Sequence, residues 1–150
     1  GGFALATAFS SSGLSQFIGS NLRGLSHIPV FILVLIICTI INFLTELTSN
    51  TATTQMILPI LASVSVAIAI NPLLLMIAAT LSASMAFMMP VGTPPNTIVF
   101  ASKRLKISDM AKTGFALNLI SVIIIALLVY FIGSIIFDLN TFPEWAIVPK

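Results

Sequence analysis

Charge is what this chain has least of. Only 7% of its 150 residues are Asp, Glu, Lys or Arg, against about 25% in an ordinary soluble domain. With 58% hydrophobic residues and a mean hydropathy of +1.16, that scarcity excludes a solvated globular surface and reads as an integral membrane protein. The single cysteine, Cys38, excludes a disulfide framework within the chain; in its apolar run it reads as a small buried or lipid-facing residue. The single histidine, His27, sits in a loop without an evident nucleophile partner, and the apolar segments hold no acidic pair. An intramembrane enzyme is therefore the least supported class, and no cofactor is expected. Nor is the net charge of +2 a nucleic-acid footprint. Four of the six basic residues (Lys103, Arg104, Lys106 and Lys112) crowd one short segment, which is a topology signal. The start, Gly1-Gly2-Phe3, lacks an initiating Met and a basic leader, so the sequence is expected to be a C-terminal piece of something longer.

From Leu47 to Ser102 there is no charged residue at all, yet two polar clusters interrupt the run: Thr48-Ser49-Asn50-Thr51 and Pro90-Val91-Gly92-Thr93-Pro94-Pro95-Asn96. A continuous helix of that length would reach about 84 Å, far beyond a hydrocarbon core of about 30 Å. The chain must therefore cross or re-enter a bilayer more than once. Unwound backbone at that depth survives only where protein buries it or a watery cavity bathes it, as in the broken helices of transporter sites.

The fold class expected is all-α integral membrane, with polytopic helices, a re-entrant helical hairpin and a discontinuous helix. Residues 3–20 read as the end of a helix, bent at Ser10-Ser11-Ser12-Gly13. A loop with Arg23 follows. Residues 28–70 read as a helical hairpin with its tip at 49–51, ended by the turn signal Asn71-Pro72. Residues 73–102 read as one discontinuous helix broken at 90–96, with a short helical piece from Thr97 to Ser102. Residues 103–112 form an aqueous loop, and 113–137 give 25 uncharged residues, a full span. The bias in Lys and Arg places the 103–112 loop in the cytoplasm and the C-terminus outside, with Trp145 at an interface. The alternative is two complete crossings in place of the hairpin.

The two breaks suit an anion and a cation together. A helix N-terminus leaves backbone N–H groups unpaired and carries roughly half a positive charge. Asn50 and Thr51 begin the second arm, and Asn96 begins the short piece behind Pro94 and Pro95. Two such termini can converge on one negatively charged ligand. The first arm ends at Thr45 to Thr48 and the third segment at Gly92, where unpaired carbonyls and hydroxyls are hard oxygen ligands for sodium. Since no Lys or Arg lies near either break, a bound anion needs dipoles, hydroxyls and co-bound cations. Ser and Thr in membrane helices are often packing residues and prolines often simple kinks, but here both cluster. Glu46 has two readings: a functional intramembrane acid, or a group that simply faces an aqueous vestibule or pairs with a basic residue from a missing part. Ala78, Ser82 and Ala86 read as a helix-packing face.

The runs Asn42-Phe43-Leu44-Thr45-Glu46-Leu47-Thr48-Ser49-Asn50-Thr51-Ala52 and Met89-Pro90-Val91-Gly92-Thr93-Pro94-Pro95-Asn96, with Phe142-Pro143-Glu144-Trp145, closely resemble the divalent anion:sodium symporter family over essentially the whole chain. The resemblance implies the second half of an inverted-repeat transporter that carries succinate-, malate- or citrate-like di- and tricarboxylates with sodium as coupling ion. It implies that Ser49, Asn50, Thr51, Thr93 and Pro94 face a substrate carboxylate. It also implies a sodium site near Thr45, Thr48, Asn50 and Gly92, partly through backbone carbonyls. The family's first repeat is absent here, so the chain is expected to supply half of a site within the plasma membrane, as part of a homodimer whose transport domain moves like an elevator. A sodium-independent exchanger, a sulfate-type carrier and a non-catalytic membrane subunit are the competing classes.

Overall fold

A computed structural model describes residues 4, 8, 11–21, 27–139 and 141–146. Much of the expected 3–20 segment, and the Arg23 loop, lie outside these, as does the side chain of Trp145. Among the described residues the regular structure is helical: α1 (Leu14–Asn21), α2 (Val30–Thr45), α3 (Asn50–Ala67), α4 (Pro72–Ala83), α5 (Pro94–Ala101) and α6 (Ile107–Leu127). A π-helical turn, Leu128–Gly133, carries α6 into α7 (Ser134–Phe137).

The helix α4 packs against both α2 and α3, while α6 lies on α2 and α1 on α3. Small residues permit the close approach. Ala78, Ala79, Ser82 and Ala83 of α4 are fully buried, and the Cys38 thiol points at the Ala78 carbonyl, 3.9 Å away. In lipid such packing and inter-helix hydrogen bonds replace the hydrophobic drive. The α2 and α3 arms splay around an apolar groove of about 320 Å³ lined by Ile37 and Ile41 on one side and Ile57, Leu61 and Val64 on the other.

Each helix boundary has a local cause. Ser49 caps α3, its hydroxyl accepting from the Ala52 amide. At the far end Ala69 takes a left-handed φ of 56°, and the Ile70 amide reaches back to the Ser65 carbonyl, which stops the helix. Asn71 then caps α4 with Pro72 in its first turn. The Asn71 Nδ2 also donates to the Thr141 carbonyl at 3.0 Å, joining this turn to the segment after α7.

Three boundaries differ from expectation. The unwound stretch begins at Ser84, not at Pro90, so α4 is shorter than the predicted 73–89. Pro94 and Pro95 form the first turn of α5 rather than preceding a helix at Thr97, because a residue lacking an N–H costs nothing there. The last helix starts at Ile107 and runs unbroken through the π turn to Phe137, 31 residues with a mean hydropathy of 2.9 over its most apolar stretch. The aqueous loop therefore shrinks to the few residues from Ser102 to Lys106. No helix breaker stands between Ile107 and Thr113, and Asp109 in the first turn favours a helix N-terminus. Ala86 is buried but lies beyond α4, so the Ala78–Ser82 helix face does not extend to it.

Candidate functional site

The end of α2 meets the start of α3 and the end of α4 at one hydroxyl. Thr45, fully buried, has its Oγ1 2.6 Å from the Asn50 Oδ1 and 2.8 Å from the Ala83 carbonyl oxygen. A hydroxyl has one proton to give, so three oxygens crowd together with a single hydrogen among them. The surplus lone pairs are what a hard cation takes, and the donor set fits sodium. Ala83 is the last residue of α4, where carbonyls lose their intrahelical partners.

Beside this cluster is an open cleft of about 250 Å³ lined by Asn50, Thr51, Thr54, Gln55 and Ser84. It sits at the N-terminus of α3, whose dipole favours an anion. The Asn50 Nδ2 has no hydrogen-bond partner among the described residues. Pro59 lacks an N–H and so leaves the Gln55 carbonyl, one turn earlier, without its helical partner. Thr54 and Gln55 were not predicted from the sequence. Their signal was available, because they follow Asn50 and Thr51 by four residues and so share their helix face.

The remaining predicted residues are placed as follows. Ser49 is exposed and occupied as a cap. The Thr48 hydroxyl lies 2.9 Å from the Leu44 carbonyl and 2.5 Å from the Thr53 hydroxyl, so its side chain is turned into the hairpin. Thr93 caps α5 without a side-chain bond and Pro94 follows; neither is in the walls of the cleft. Gly92 packs against Glu46 and Ala86, and a Cβ built there would stand 3.3 Å from the Glu46 Oε2 and 3.2 Å from the Ala86 Cβ.

Side chains from elsewhere pair seven backbone groups of the unwound stretch 84–93. Glu46 accepts the amides of Phe87, Met88 and Met89. Asn42 donates to the Met85 carbonyl at 2.7 Å, and Asn96 to those of Ala86 at 2.8 Å and Met89 at 3.0 Å. The Thr97 hydroxyl takes the Pro90 carbonyl at 2.6 Å. Pairing of this kind is what lets non-helical backbone persist away from water. Asn118 of α6, which reaches Glu46, and Gly114, against which Phe87 and Met88 pack, were both missed in the sequence. Neither sits in a recognisable motif.

The profile of a family described as sodium:sulfate symporter, transmembrane region, matches residues 1–139. Solute carrier family 13 member 2 of Rattus norvegicus is 52% identical over 146 residues, covering 97% of this chain and 25% of the relative. Sodium-dependent dicarboxylate transporter SdcS of Staphylococcus saprophyticus is 50% identical over 132 residues, 88% of this chain and 25% of the relative. Na(+)/dicarboxylate cotransporter 3 of Homo sapiens is 46% identical over 146 residues, 97% of this chain and 24% of the relative. The chain thus spans about a quarter of the length of these curated relatives. With its interrupted helix, its apolar last helix and this match along nearly its whole length, the chain is an integral membrane protein that belongs to the sodium:sulfate symporter family.

Proposed function

We propose that this chain is the C-terminal part of a sodium-coupled symporter for di- or tricarboxylates and supplies half of its substrate site. The observation that carries the proposal is the Thr45–Asn50–Ala83 oxygen cluster at the foot of the α3 N-terminus. A cation there and a carboxylate in the adjoining cleft would lie side by side. Each would lower the cost of dehydrating the other, and among the described residues the cleft walls carry no basic residue to do so. Relatives whose names specify sodium and dicarboxylate support that pairing.

In this scheme Ser49, Asn50 and Thr51 at the tip, with Thr93 and Pro94 at the start of α5, face the substrate carboxylate. Thr45, Asn50 and the carbonyls near Thr48 and Gly92 hold sodium. Residues 28–70 enter from outside as a hairpin. The bond from Asn71 to Thr141 supports putting that turn and the C-terminal segment on one side, with Lys103, Arg104 and Lys106 on the cytoplasmic side. The complete protein would be a homodimer in the plasma membrane with elevator-like motion, its other half supplying the second hairpin.

Uptake of radiolabelled succinate by the complete transporter tests this. Uptake should need sodium and collapse in Asn50→Ala. Equal uptake in potassium, or uptake driven by counter-loaded dicarboxylate, would show an exchanger instead. Uptake of labelled sulfate but not succinate would show a sulfate-type carrier. Transport kinetics unchanged by alanine at Ser49, Thr51 and Thr93 would reduce the breaks to helix locks.

A further inference from the structure

Glu46 ends α2 beside Thr45, is only 3% exposed, and belongs to neither the oxygen cluster nor the cleft. Its Oε1 accepts from the Phe87 amide at 2.7 Å, the Met88 amide at 2.9 Å and the Asn118 Nδ2 at 2.7 Å. Its Oε2 accepts from the Met89 amide at 2.9 Å. A carboxylate has about two acceptor sites on each oxygen; three of these four donors converge on Oε1 and one on Oε2, so N–H groups dominate its surroundings. A cation would meet N–H dipoles pointing the wrong way, so the arrangement is not a further metal position. Three successive amides converging on one negative group form an anion-binding nest, and here the anion belongs to the protein.

The alternative conformation shows what the nest prevents. If α4 continued as a helix, the Phe87 amide would bond to the Ala83 carbonyl four residues back. That carbonyl now faces the Thr45 hydroxyl. The Met89 amide would likewise take the Met85 carbonyl, now held by Asn42. By capturing the amides, Glu46 keeps the carbonyls free. Gly114 completes the seat: a Cβ there would stand 2.3 Å from the Phe87 oxygen, so only glycine lets α6 close over the unwound stretch and bring Asn118 to the carboxylate.

We propose that Glu46 is a positioning residue for cation coupling: its carboxylate holds residues 87–89 unwound, leaving the Ala83 carbonyl to the hairpin tip and setting Gly92 beside it. This deepens the transport scheme above and rests on it. In the complete transporter, Glu46→Gln keeps the size but turns an amide NH₂ toward N–H donors. Its half-saturation by sodium should rise about tenfold or more, the usual effect of losing a partner that orients metal ligands. Succinate KM at saturating sodium should change little, and Glu46→Asp should recover part of the loss. Hydrogen–deuterium exchange of the peptide spanning residues 84–93 reads the seat without any uptake, and it should accelerate in Glu46→Gln. A merely structural role would lower yield and maximal rate while leaving the sodium dependence unmoved, and that result overturns the proposal. So does unchanged exchange. If the parent protein moves no dicarboxylate with sodium, the transport scheme fails and exchange alone decides the role of Glu46. Should Glu46→Gln not fold, Asn118→Ala removes one of the four donors; a smaller shift of sodium half-saturation in the same direction supports the role, and none overturns it.

Discussion

Two long apolar runs in this chain fold differently. Residues 72–101 break into α4, an unwound stretch and α5, whereas residues 107–137 form one helical run. Both contain Ser, Gly and Asn. Proline explains part of the contrast, since Pro90, Pro94 and Pro95 occur only in the first. Yet the helix stops at Ser84, six residues before any proline, in a stretch (Met85-Ala86-Phe87-Met88-Met89) with good helix formers. What differs there is the surroundings. Glu46, Asn42 and Asn96 stand ready to take the backbone groups that unwinding frees. Along α6 no such ring of side chains exists, so the backbone keeps its own hydrogen bonds. A break away from water forms where other elements can satisfy it.

Glycine to alanine exchanges give the largest expected effect on this contrast. Gly114→Ala drives a Cβ to within 2.3 Å of the Phe87 carbonyl oxygen and 2.6 Å of the Met88 Cα, backbone that cannot yield cheaply. It should destabilise the purified protein by about 3 kcal/mol. Gly133→Ala in the uninterrupted run meets the end of Leu139 at 3.3 Å and otherwise only ordinary contacts at 3.7 Å or more, and should cost much less. Equal melting temperatures for the two would break the comparison. Asn96→Ala leaves the carbonyls of Ala86 and Met89 short of a donor. A loss of about 2 kcal/mol follows, measurable as a lower denaturation midpoint in detergent.

Thr45→Val keeps the shape but removes the hydroxyl between Asn50 and Ala83. Sodium half-saturation of uptake should rise about tenfold, with Thr45→Ser close to the parent. Parent-like sodium dependence in Thr45→Val would detach the oxygen cluster from coupling. Asn71→Ala removes the α4 cap and the bond to Thr141, at the end of α4 far in sequence from the break. It should lower stability by about 1 kcal/mol and leave sodium dependence untouched, the smallest of these effects. A shift in sodium dependence there would show that the two ends of α4 are coupled.

Much of the site was legible in the order of residues. Ser-Asn-Thr at the start of α3 announces a cap, and the oxygens of Thr45 and Asn50 fall on either side of a link too short to separate them. The apolar last helix was visible as an uncharged run, although its start was misplaced because Lys112 and Asp109 looked like loop residues. On a helix long enough to emerge into water they are simply its exposed first turns.

By itself the sequence determined that the chain avoids water and has two polar interruptions, with no basic residue near either. Those follow from composition and local propensity, which act through neighbours a few residues away. Only the tertiary structure decided where α4 ends and which carbonyl meets Thr45, and it alone gave the buried charge of Glu46 its partners. Each of those depends on groups separated by about 40 or more positions along the chain, such as Glu46 with Phe87 and with Asn118. Hydrogen bonds in a medium without water are placed by whichever donor and acceptor packing brings together.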